Sequence, residues 1–377
     1  MKTVRDIKKL ENIPVIVRTA LNVPVQDGKV TGEYRLRRAL PTIEYLMKKN
    51  ARVVLIGHIG EQGTETLEPV YNAMKKFIPR LEFCHDSIGP RAREAVRLLP
   101  SGGVIMMENL RRHRGEVMND EGFARELSML GDVFVEDSFD VCHRKHASVV
   151  AITSFLDAYA GLLVEEEVRE LQKALKPKSP SLAIIGGAKF TTKEPVLTKL
   201  LSLYDHVFVG GALANDFMAE QGLPMELSLR SKEGKESIQK LLSHPKLLLP
   251  VDEVIGPPEG TPAQSRVGKL DGLPPYEAVL DDGPNTVDML SVLVSKAKSI
   301  LWNGPLGNYE HGYVEGTESL ARAIAQSGAH SIVGGGDTVT AIGTLGLDTR
   351  FSFISTGGGA MLEYLATRSL PGLDVLS

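Results

Sequence analysis

Ser331-Ile-Val-Gly-Gly-Gly-Asp-Thr338 is a short apolar run that ends in glycines. Segments of similar pattern in the second half of the chain are Ala183–Lys189, Val207–Ala212, Ile300–Pro305 and Phe353–Gly359. An apolar run that ends in glycines and leads into a helix is typical of the carboxyl edge of a parallel sheet, where open α/β folds bind ligands. Glycines let backbone N–H groups approach an anion because no Cβ atom intervenes. The second half is therefore predicted to present anion-binding turns, as a nucleotide site requires.

Short β-rich runs alternate with amphipathic helical stretches along the chain. In the first half, the predicted strands are Ile13–Val17, Ala51–Ile56, Gly103–Met107 and Val133–Val135. A helix is predicted at Tyr34–Lys49 because apolar residues recur there at helical spacing. Strand–helix–strand alternation predicts an α/β fold with parallel sheets and right-handed crossovers.

A divide is predicted near residues 160–180. Leu162–Leu175 has strong helix formers and a helical apolar stripe, and two prolines in Lys176–Pro180 end the helix. This pattern suits a connector between two lobes, although an ordinary surface helix within one larger domain is the alternative. The predicted organisation is a substrate lobe (1–160), a connecting helix and hinge (161–180), a nucleotide lobe (181–360) and a C-terminal helix and tail (361–377).

The composition is that of a globular protein, with 377 residues, 42% hydrophobic and 24% charged. The net charge of −4 argues against general nucleic-acid binding, which needs a basic surface. Cys84 and Cys142 form no C-x-x-C motif, and no apolar stretch approaches the ~20 residues of a membrane span. The N-terminus lacks the apolar core of a signal peptide. We expect a cytoplasmic protein with neither nucleic-acid nor membrane partners.

Three charged positions in the second half follow glycine turns. Lys189 and Lys193 would lie on one helix face, at a helix N-terminus suited to phosphate, if the helix starts near Ala188; a solvated lysine pair is the alternative. Asp337 could hold Mg²⁺ against a polyphosphate, or could cap the next helix. A helix predicted at Ala360–Leu365 would aim its N-terminus at a transferring phosphoryl group, unless the glycines before it form only a tight turn.

Several known nucleotide motifs are absent from the sequence. The chain has no Walker P-loop, no protein-kinase motif set and no complete G-x-G-x-x-G fingerprint. A nicotinamide-dependent enzyme is therefore disfavoured.

The first half places basic residues, rather than glycine pairs, where apolar runs end. They are Arg18, Arg35, His58, Arg111, His113, His143, Arg144 and His146. Any one of them alone would be read as a surface residue. Because several follow predicted strands, and because arginine binds phosphate and carboxylate bidentately, the first half is predicted to bind a small anionic substrate. A histidine metal site is less well supported, since no H-E-x-x-H or cysteine pattern completes it.

These segments, in their order and spacing, resemble the phosphoglycerate kinase family from end to end. The matching segments are Val17–Pro24, Arg35–Ile43, Glu108–Arg111, His143–Ser148, Gly186–Lys189, Leu249–Asp252, Trp302–Pro305, Gly334–Thr338 and Ser355–Gly359. The resemblance implies two Rossmann-like lobes, each a parallel sheet with helices on both faces, joined by a helix and closing like a hinge. It also implies a C-terminal tail (361–377) that returns to the first lobe. The activity it implies is reversible phosphoryl transfer between 1,3-bisphosphoglycerate and MgADP, by a monomer.

The resemblance also implies roles for residues of the nucleotide lobe. Lys189 and Lys193 would hold the nucleotide phosphates and the transferring group, with Lys189 also catalytic, and Asp337 would hold Mg²⁺. The other implied nucleotide positions are Gly210 and Gly211 at the adenine, Asn303, Glu310 at the ribose, and Gly336 and Thr338 at the phosphates. Gly358 and Gly359 would be catalytic, as part of a helix N-terminus that points at the reaction centre.

On the substrate lobe, the implied substrate-binding residues are Asn22, Arg35, His58, Arg111 and Arg144, with Arg35 also catalytic. Two positions depart from the family pattern: Ala20 stands where an aspartate is expected, and Glu61 where an arginine is expected. We hypothesise that Arg112, Arg114 or Lys145 restores the lost phosphate charge and that Glu61 pairs with one of them; the alternative is that these charges are solvated.

The departures leave three functions open. The first is a phosphoglycerate kinase with a reworked substrate pocket. The second is an acyl-phosphate kinase for a related carboxylate, and the third is a catalytically impaired nucleotide-binding relative.

Overall fold

The computed structural model describes residues 1–376, with Leu270 described by its backbone alone. The chain divides into two compact units. The first unit comprises Met1–Arg169 together with the segment that begins at Thr367, and the second comprises Glu170–Ala366. The boundary between Arg169 and Glu170 falls within the helix Leu162–Ala174.

The first unit is built on a parallel sheet. Its strands are β1 (Pro14–Thr19), β2 (Val25–Gln26), β3 (Lys29–Val30), β4 (Arg52–Ile56), β5 (Leu81–Cys84), β6 (Val104–Met107), β7 (Val133–Asp137) and β8 (Asp157–Ala160). Six of these described strands form the sheet, in the order β5-β6-β4-β1-β7-β8, and all neighbours are parallel. Strands β2 and β3 form a separate antiparallel hairpin.

Helices cover both faces of this sheet. They are α1 (Tyr34–Lys48), α2 (Glu68–Met74), α3 (Gly89–Leu98), α4 (Arg114–Val117), α5 (Glu121–Ser128) and α6 (Leu162–Ala174). Alternate residues of β1 point to opposite faces: Val15 and Val17 pack in a core with α1, whereas Ile16 packs in a second core with α3 and α5. Burying each such aliphatic side chain contributes about 1.5–3 kcal/mol. The strands are continuous apolar runs because both faces are buried.

The second unit has a sheet of the same kind. Its strands are β9 (Ser181–Ile185), β10 (His206–Val209), β11 (Leu247–Leu248), β12 (Glu253–Gly256), β13 (Arg266–Gly268), β14 (Ala278–Asp282), β15 (Ser299–Asn303), β16 (His330–Gly334) and β17 (Phe353–Ile354). Six of these described strands form a parallel sheet in the order β11-β10-β9-β15-β16-β17. Their carboxyl ends therefore meet at one edge.

Of the helices after α6, all but the last begin in the second unit. They are α7 (Phe190–Leu203), α8 (Ala212–Glu220), α9 (Lys235–Leu242), α10 (Pro284–Lys296), α11 (Glu315–Gln326), α12 (Gly336–Thr344), α13 (Gly358–Thr367) and α14 (Pro371–Asp374). The chain end lies in the first unit, where the Gly372 N–H donates to the Cys142 carbonyl (2.8 Å) and the Lys2 N–H donates to the Leu376 carbonyl (3.2 Å).

The predicted α/β class with two parallel sheets is confirmed. The predicted helix at Tyr34–Lys49 is α1, and the predicted helix at Leu162–Leu175 is α6, each one residue shorter than expected. The helix expected to start near Ala188 begins instead at Phe190, with Lys189 as its N-cap residue. Among residues 1–376, no helix is both long enough and apolar enough to cross a membrane.

Strand alternation did not predict the small antiparallel sheet of the second unit, in the order β13-β12-β14. Glu253 of β12 pairs in register with Asp282 of β14, and both side chains are buried. Both Glu253 carboxyl oxygens and Asp282 Oδ2 have no hydrogen-bond partner among the described residues. Burial, and next the Asp282 carboxyl, raise the pKa of Glu253 well above its usual value. The sheet therefore encloses two carboxyls whose pKa values are raised by burial, which favours their protonated forms.

We predict that Glu253→Gln stabilises the chain at high pH only. The pKa of Glu253 is raised by burial in the folded state, so folding binds a proton and stability falls as pH rises above the unfolded value. A neutral amide removes this loss, and we expect a gain of at least about 1 kcal/mol at pH 8, since proton linkage is worth about 1.4 kcal/mol for each pH unit. Thermal unfolding at pH 5 and pH 8 measures it.

Glu259→Gln, at an exposed turn after β12, is the matched control and should leave both melting temperatures unchanged. An equal effect of Glu253→Gln at the two pH values would contradict a protonated pair.

Candidate active site

Glycine turns of the second unit pack directly against each other at the carboxyl edge of its sheet. The Gly186 N–H donates to the Asn303 carbonyl (2.9 Å), and the Gly187 N–H donates to the Pro305 carbonyl (3.0 Å). These bonds join the turn after β9 to the turn after β15. The indole N–H of the fully buried Trp302 donates to the Gly304 carbonyl (2.9 Å) and holds this second turn from beneath.

Two of these glycines are required by close approach. A Cβ atom on Gly186 would overlap the Pro305 carbonyl oxygen, and a Cβ atom on Gly358 would lie 2.9 Å from the Gly335 Cα. In both cases the neighbour is backbone, which cannot rotate away as a flexible side chain can. The sequence motif of repeated glycines therefore reflects turns in contact across neighbouring strands, rather than isolated tight turns.

Helices α7, α12 and α13 begin at this edge, at Phe190, Gly336 and Gly358. The first N–H groups of a helix have no partner within the helix and carry partial positive charge, so they bind anions. Two of the three begin at a glycine, which leaves the N–H groups accessible. The Thr338 hydroxyl oxygen accepts from the Gly304 N–H (3.1 Å) and ties α12 to the turn after β15.

Lys193 is the buried cation of this edge, at 9% exposure. Its ammonium donates to the Gly186 carbonyl. Burial lowers the pKa of Lys193 to about 8, although the Asp337 carboxylate opposes that shift. Lys189, in contrast, is exposed and precedes α7. The prediction that the two lysines share one helical face is therefore wrong.

Asp337 lies in the first turn of α12 and is half-buried. Burial first, and then the Glu310 carboxylate, raise the pKa of Asp337, while the Lys193 ammonium lowers it. Asp337, Lys193 and Glu310 are thus close enough to influence each other's charge. Among the described residues, no group of three His, Cys, Asp or Glu side chains could hold a metal without help. Asp337 fits Mg²⁺ only as one carboxylate ligand beside phosphate oxygens, a donor set that this ion accepts.

The other predicted nucleotide positions lie on the same edge with different environments. The buried Asn303 amide lies 3.5 Å from the Gly358 carbonyl oxygen and donates to it. Gly336 and Gly359 are exposed at the starts of α12 and α13, and Glu310 is exposed on a short turn at Tyr309–His311. Gly210 and Gly211 are buried between β10 and α8.

Asp282 is a site neighbour that the sequence analysis missed. Its Oδ1 accepts from the Gly211 N–H (3.1 Å). Asp282 is the last residue of β14 and precedes Gly283 and Pro284, a helix-start signal that could have marked it as a strand end. Asp282 therefore connects the buried carboxyl pair to the Gly210–Gly211 turn.

The first unit places a buried arginine at the end of β1. Arg18 is fully buried, and its Nε donates to the Ser148 hydroxyl (3.0 Å). The Ser148 hydroxyl donates to Glu116 Oε1 (2.6 Å), and the Ser148 N–H donates to Glu116 Oε2 (2.9 Å). The Glu116 carboxylate thus offsets the Arg18 charge through one hydroxyl. The sequence predicts Arg18 as one of the basic residues at strand ends and gives no sign of this network.

Arg18 also fixes the protonation state of His58. Arg18 Nη2 donates to His58 Nδ1 (2.8 Å). Because guanidinium can only donate, Nδ1 accepts, and the proton of a neutral His58 lies on Nε2. Burial, followed by the charges of Arg18 and Arg111, holds the pKa of His58 far below its usual value. His58 is therefore a neutral N–H donor.

The positive field at this edge also acts on His146. Burial, then Arg111, Arg18 and Arg144, lower the pKa of His146 to about 4. Arg144 itself is exposed, but its charge reaches both histidines. The same positive charges that lower the pKa of neighbouring histidines also attract an anion.

Arg111 joins this group and contacts the loop after β4. Its side chain is 3% exposed, and its Nη1 donates to the Gly60 carbonyl (2.5 Å) and lies 3.1 Å from Glu61 Oε2. Glu61 therefore pairs with Arg111. The hypothesis that its partner is Arg112, Arg114 or Lys145 is wrong. Arg112 lies 3.2 Å from Glu108 instead, while Arg114 and Lys145 are exposed.

Asn22 and Arg35 meet beside the same loop. Arg35 Nη1 donates to the Asn22 carbonyl (2.6 Å), and Asn22 Oδ1 accepts from the Gly60 N–H (3.1 Å). Gly60 thereby links Asn22 and Arg35 to Arg111. Ala20 is fully buried just after β1 and supplies no carboxylate to this edge.

Comparisons with known proteins identify the family of the chain. A family model described as Phosphoglycerate kinase matches residues 4–368. The phosphoglycerate kinases of Moorella thermoacetica and Rubrobacter xylanophilus are 39% and 40% identical to the chain, and both alignments cover 100% of this chain and 98% of the relative.

Solved structures give the same result. The phosphoglycerate kinase from Coxiella burnetii is 35% identical with a TM-score of 0.82, covering 99% of this chain and 98% of that one. The phosphoglycerate kinase from Pyrococcus horikoshii is 29% identical with a TM-score of 0.89, covering 100% of this chain and 98% of that one.

We predict that Gly186→Ala destabilises the chain by about 3 kcal/mol, the upper end of the usual cost of overpacking. Its Cβ atom would meet the Pro305 carbonyl, and one of the two turns would have to move. Gly272→Ala is the control because nothing lies within 4 Å of its Cβ position. Thermal unfolding of both variants measures the difference, and equal melting temperatures would show that the turns are not packed in this way.

Proposed function

The chain belongs to the phosphoglycerate kinase family, and we propose that it catalyses reversible phosphoryl transfer between 1,3-bisphosphoglycerate and MgADP, giving 3-phosphoglycerate and ATP. It is thus a phosphotransferase with a carboxyl group as acceptor, with a place in glycolysis and gluconeogenesis. The observation that carries the proposal is the division of charge: one sheet edge collects helix N-termini, Lys193 and Asp337, and the other collects Arg18, Arg111 and a neutral His58.

We assign the nucleotide to the second unit. Lys193 would contact the phosphates from the buried side and Lys189 from the exposed side, with N–H groups of α12 and α13 completing the contacts. Gly336 and Thr338 lie at the start of α12, and Gly358 and Gly359 at the start of α13. Gly210, Gly211, Asn303 and Glu310 are assigned to the nucleoside end by family position.

Asp337 would hold Mg²⁺, which when bound neutralises charge on the phosphate oxygens. Phosphoryl transfer requires positioning and charge neutralisation, with little covalent help from the protein. In this chain the fixed positive ends of helices and Lys193 provide that neutralisation without reorganisation. The attacking oxygen belongs to the nucleotide or to the acid, so no protein nucleophile is needed.

We assign the acid substrate to the first unit. Asn22, Arg35, His58, Arg111 and Arg144 would bind its anionic groups and hydroxyl. Because His58 is neutral, it would offer its Nε2–H as a hydrogen-bond donor without adding a charge. Arg35 would face the transferring group as the catalytic arginine. Since the family match spans the whole chain, the related-carboxylate kinase and the impaired relative are less well supported. We further propose a cytoplasmic monomer without nucleic-acid or membrane partners.

The test is a coupled assay with 3-phosphoglycerate and MgATP on the unmodified chain and on Lys193→Met. We expect turnover by the unmodified chain and a loss of about 10- to 150-fold in kcat/KM in the variant, the equivalent of one charge-assisted hydrogen bond. Lys199→Met, on the same helix, is the control and should keep full activity. Absence of turnover by the unmodified chain, with MgADP binding intact, would favour the alternative functions.

The same variant has a second readout, in the pH dependence of MgADP binding. The pKa of Lys193 is lowered by burial to about 8, so the ammonium form that attracts phosphate is lost as pH rises through that value. Affinity for MgADP should therefore fall between pH 7 and pH 9 in the unmodified chain and change less in Lys193→Met. Identical pH profiles would exclude Lys193 from the phosphate site.

A further inference from the structure

Arg111 and Glu61 form an unequal ion pair in the first unit. The Arg111 side chain is 3% exposed, whereas the Glu61 side chain is 74% exposed, and Nη1 lies 3.1 Å from Oε2. The carboxylate therefore occupies the solvent side of a guanidinium that is otherwise enclosed. The Gly60 carbonyl accepts from the same Nη1, so one nitrogen of Arg111 serves both contacts.

One donor of the Arg111 guanidinium is left without a partner. Its Nε is buried and has no hydrogen-bond partner among residues 1–376. A buried unpaired donor on a cation costs free energy, and an anionic ligand would remove that cost. Arg18 and Arg144 add positive charge nearby, and both lower the pKa of Arg111 further after burial has done so. Arg111 thus combines an unpaired donor with positive surroundings, which favour a further anion besides the Glu61 carboxylate.

Glu61 opposes the binding of such an anion in two ways. Its carboxylate attracts the guanidinium toward the loop after β4, and its negative charge repels an approaching phosphate. A pair with one exposed partner is weak, since water screens the attraction. A substrate phosphate could therefore displace Glu61 at modest cost.

We propose that Glu61 is a positioning residue that holds Arg111 through Nη1 and competes with the phosphorylated acid for it, setting a low affinity of this chain for that substrate. The proposal rests on the proposed function, because it takes the acid to be the anion that binds at Arg111. Glu61 is a departure from the family pattern, and its partner is visible in the contacts of this chain alone.

The test variant is Glu61→Gln, which keeps the size of the side chain and removes its charge. We expect KM for 3-phosphoglycerate to fall about two- to five-fold, corresponding to a weak exposed pair, with kcat and KM for MgATP unchanged. Calorimetric titration of 3-phosphoglycerate without nucleotide should show the same gain in affinity. The gain should diminish at high ionic strength, because screening weakens the charge of Glu61 in the unmodified chain.

Glu68→Gln is the matched control. Glu68 is exposed at the start of α2, only seven positions further along the chain, and removing its charge should leave KM and the binding constant unchanged. An ion pair with a purely structural role would change the melting temperature of Glu61→Gln without changing either substrate constant, and that result would overturn the proposal. A rise in KM would overturn it too, since Glu61 would then assist binding.

The two proposals fail differently. If the unmodified chain does not turn over 3-phosphoglycerate but Glu61→Gln binds it more tightly in the titration, the proposed function fails and the competition for Arg111 stands. If the unmodified chain is active and Glu61→Gln has unchanged constants, the competition fails and the proposed function stands.

Discussion

Backbone contact between glycine turns is the constraint on which the second unit depends. The turns after β9 and β15 are joined by the bonds from Gly186 to Asn303 and from Gly187 to Pro305, and Gly358 approaches the backbone of Gly335. Side chains between these turns would separate the starts of α12 and α13 from the turn that carries Lys193's acceptor. Parallel strands buried on both faces bring the turns to one edge, and the glycines let them close there.

The two units differ in the groups that supply their positive charge. Among its described residues, the second unit buries the amine of Lys193 and otherwise relies on helix N-termini, so its positive potential comes mainly from the backbone. The first unit buries guanidinium groups and must offset them, which it does through Ser148 and Glu116 at Arg18 and through Glu61 at Arg111. The neutral His58 follows from that arrangement, because a second cation beside Arg18 would be unfavourable.

Much of this arrangement could be predicted from the sequence, and the remainder could not for physical reasons. Apolar runs that end in glycine located the second site, since strand period and turn chemistry are local. Lys189 and Lys193 looked equivalent by spacing but differ in burial, which depends on where α7 begins. The partner of Glu61 could not be inferred, because Arg111 and Arg112 are adjacent in sequence yet pair with the carboxylates of two different residues. The Glu253–Asp282 pair arises from antiparallel register, which strand alternation does not specify.

Hydrogen–deuterium exchange with one ligand at a time tests most directly whether each sheet edge binds its own ligand. MgADP alone should slow exchange in residues 186–193, 334–338 and 355–361, where the glycine turns and helix starts lie. Addition of 3-phosphoglycerate alone should slow exchange in residues 57–61, 108–116 and 143–148, where the basic edge lies. Protection of the basic edge by MgADP, or of the glycine turns by 3-phosphoglycerate, would contradict the assignment of one ligand to each unit.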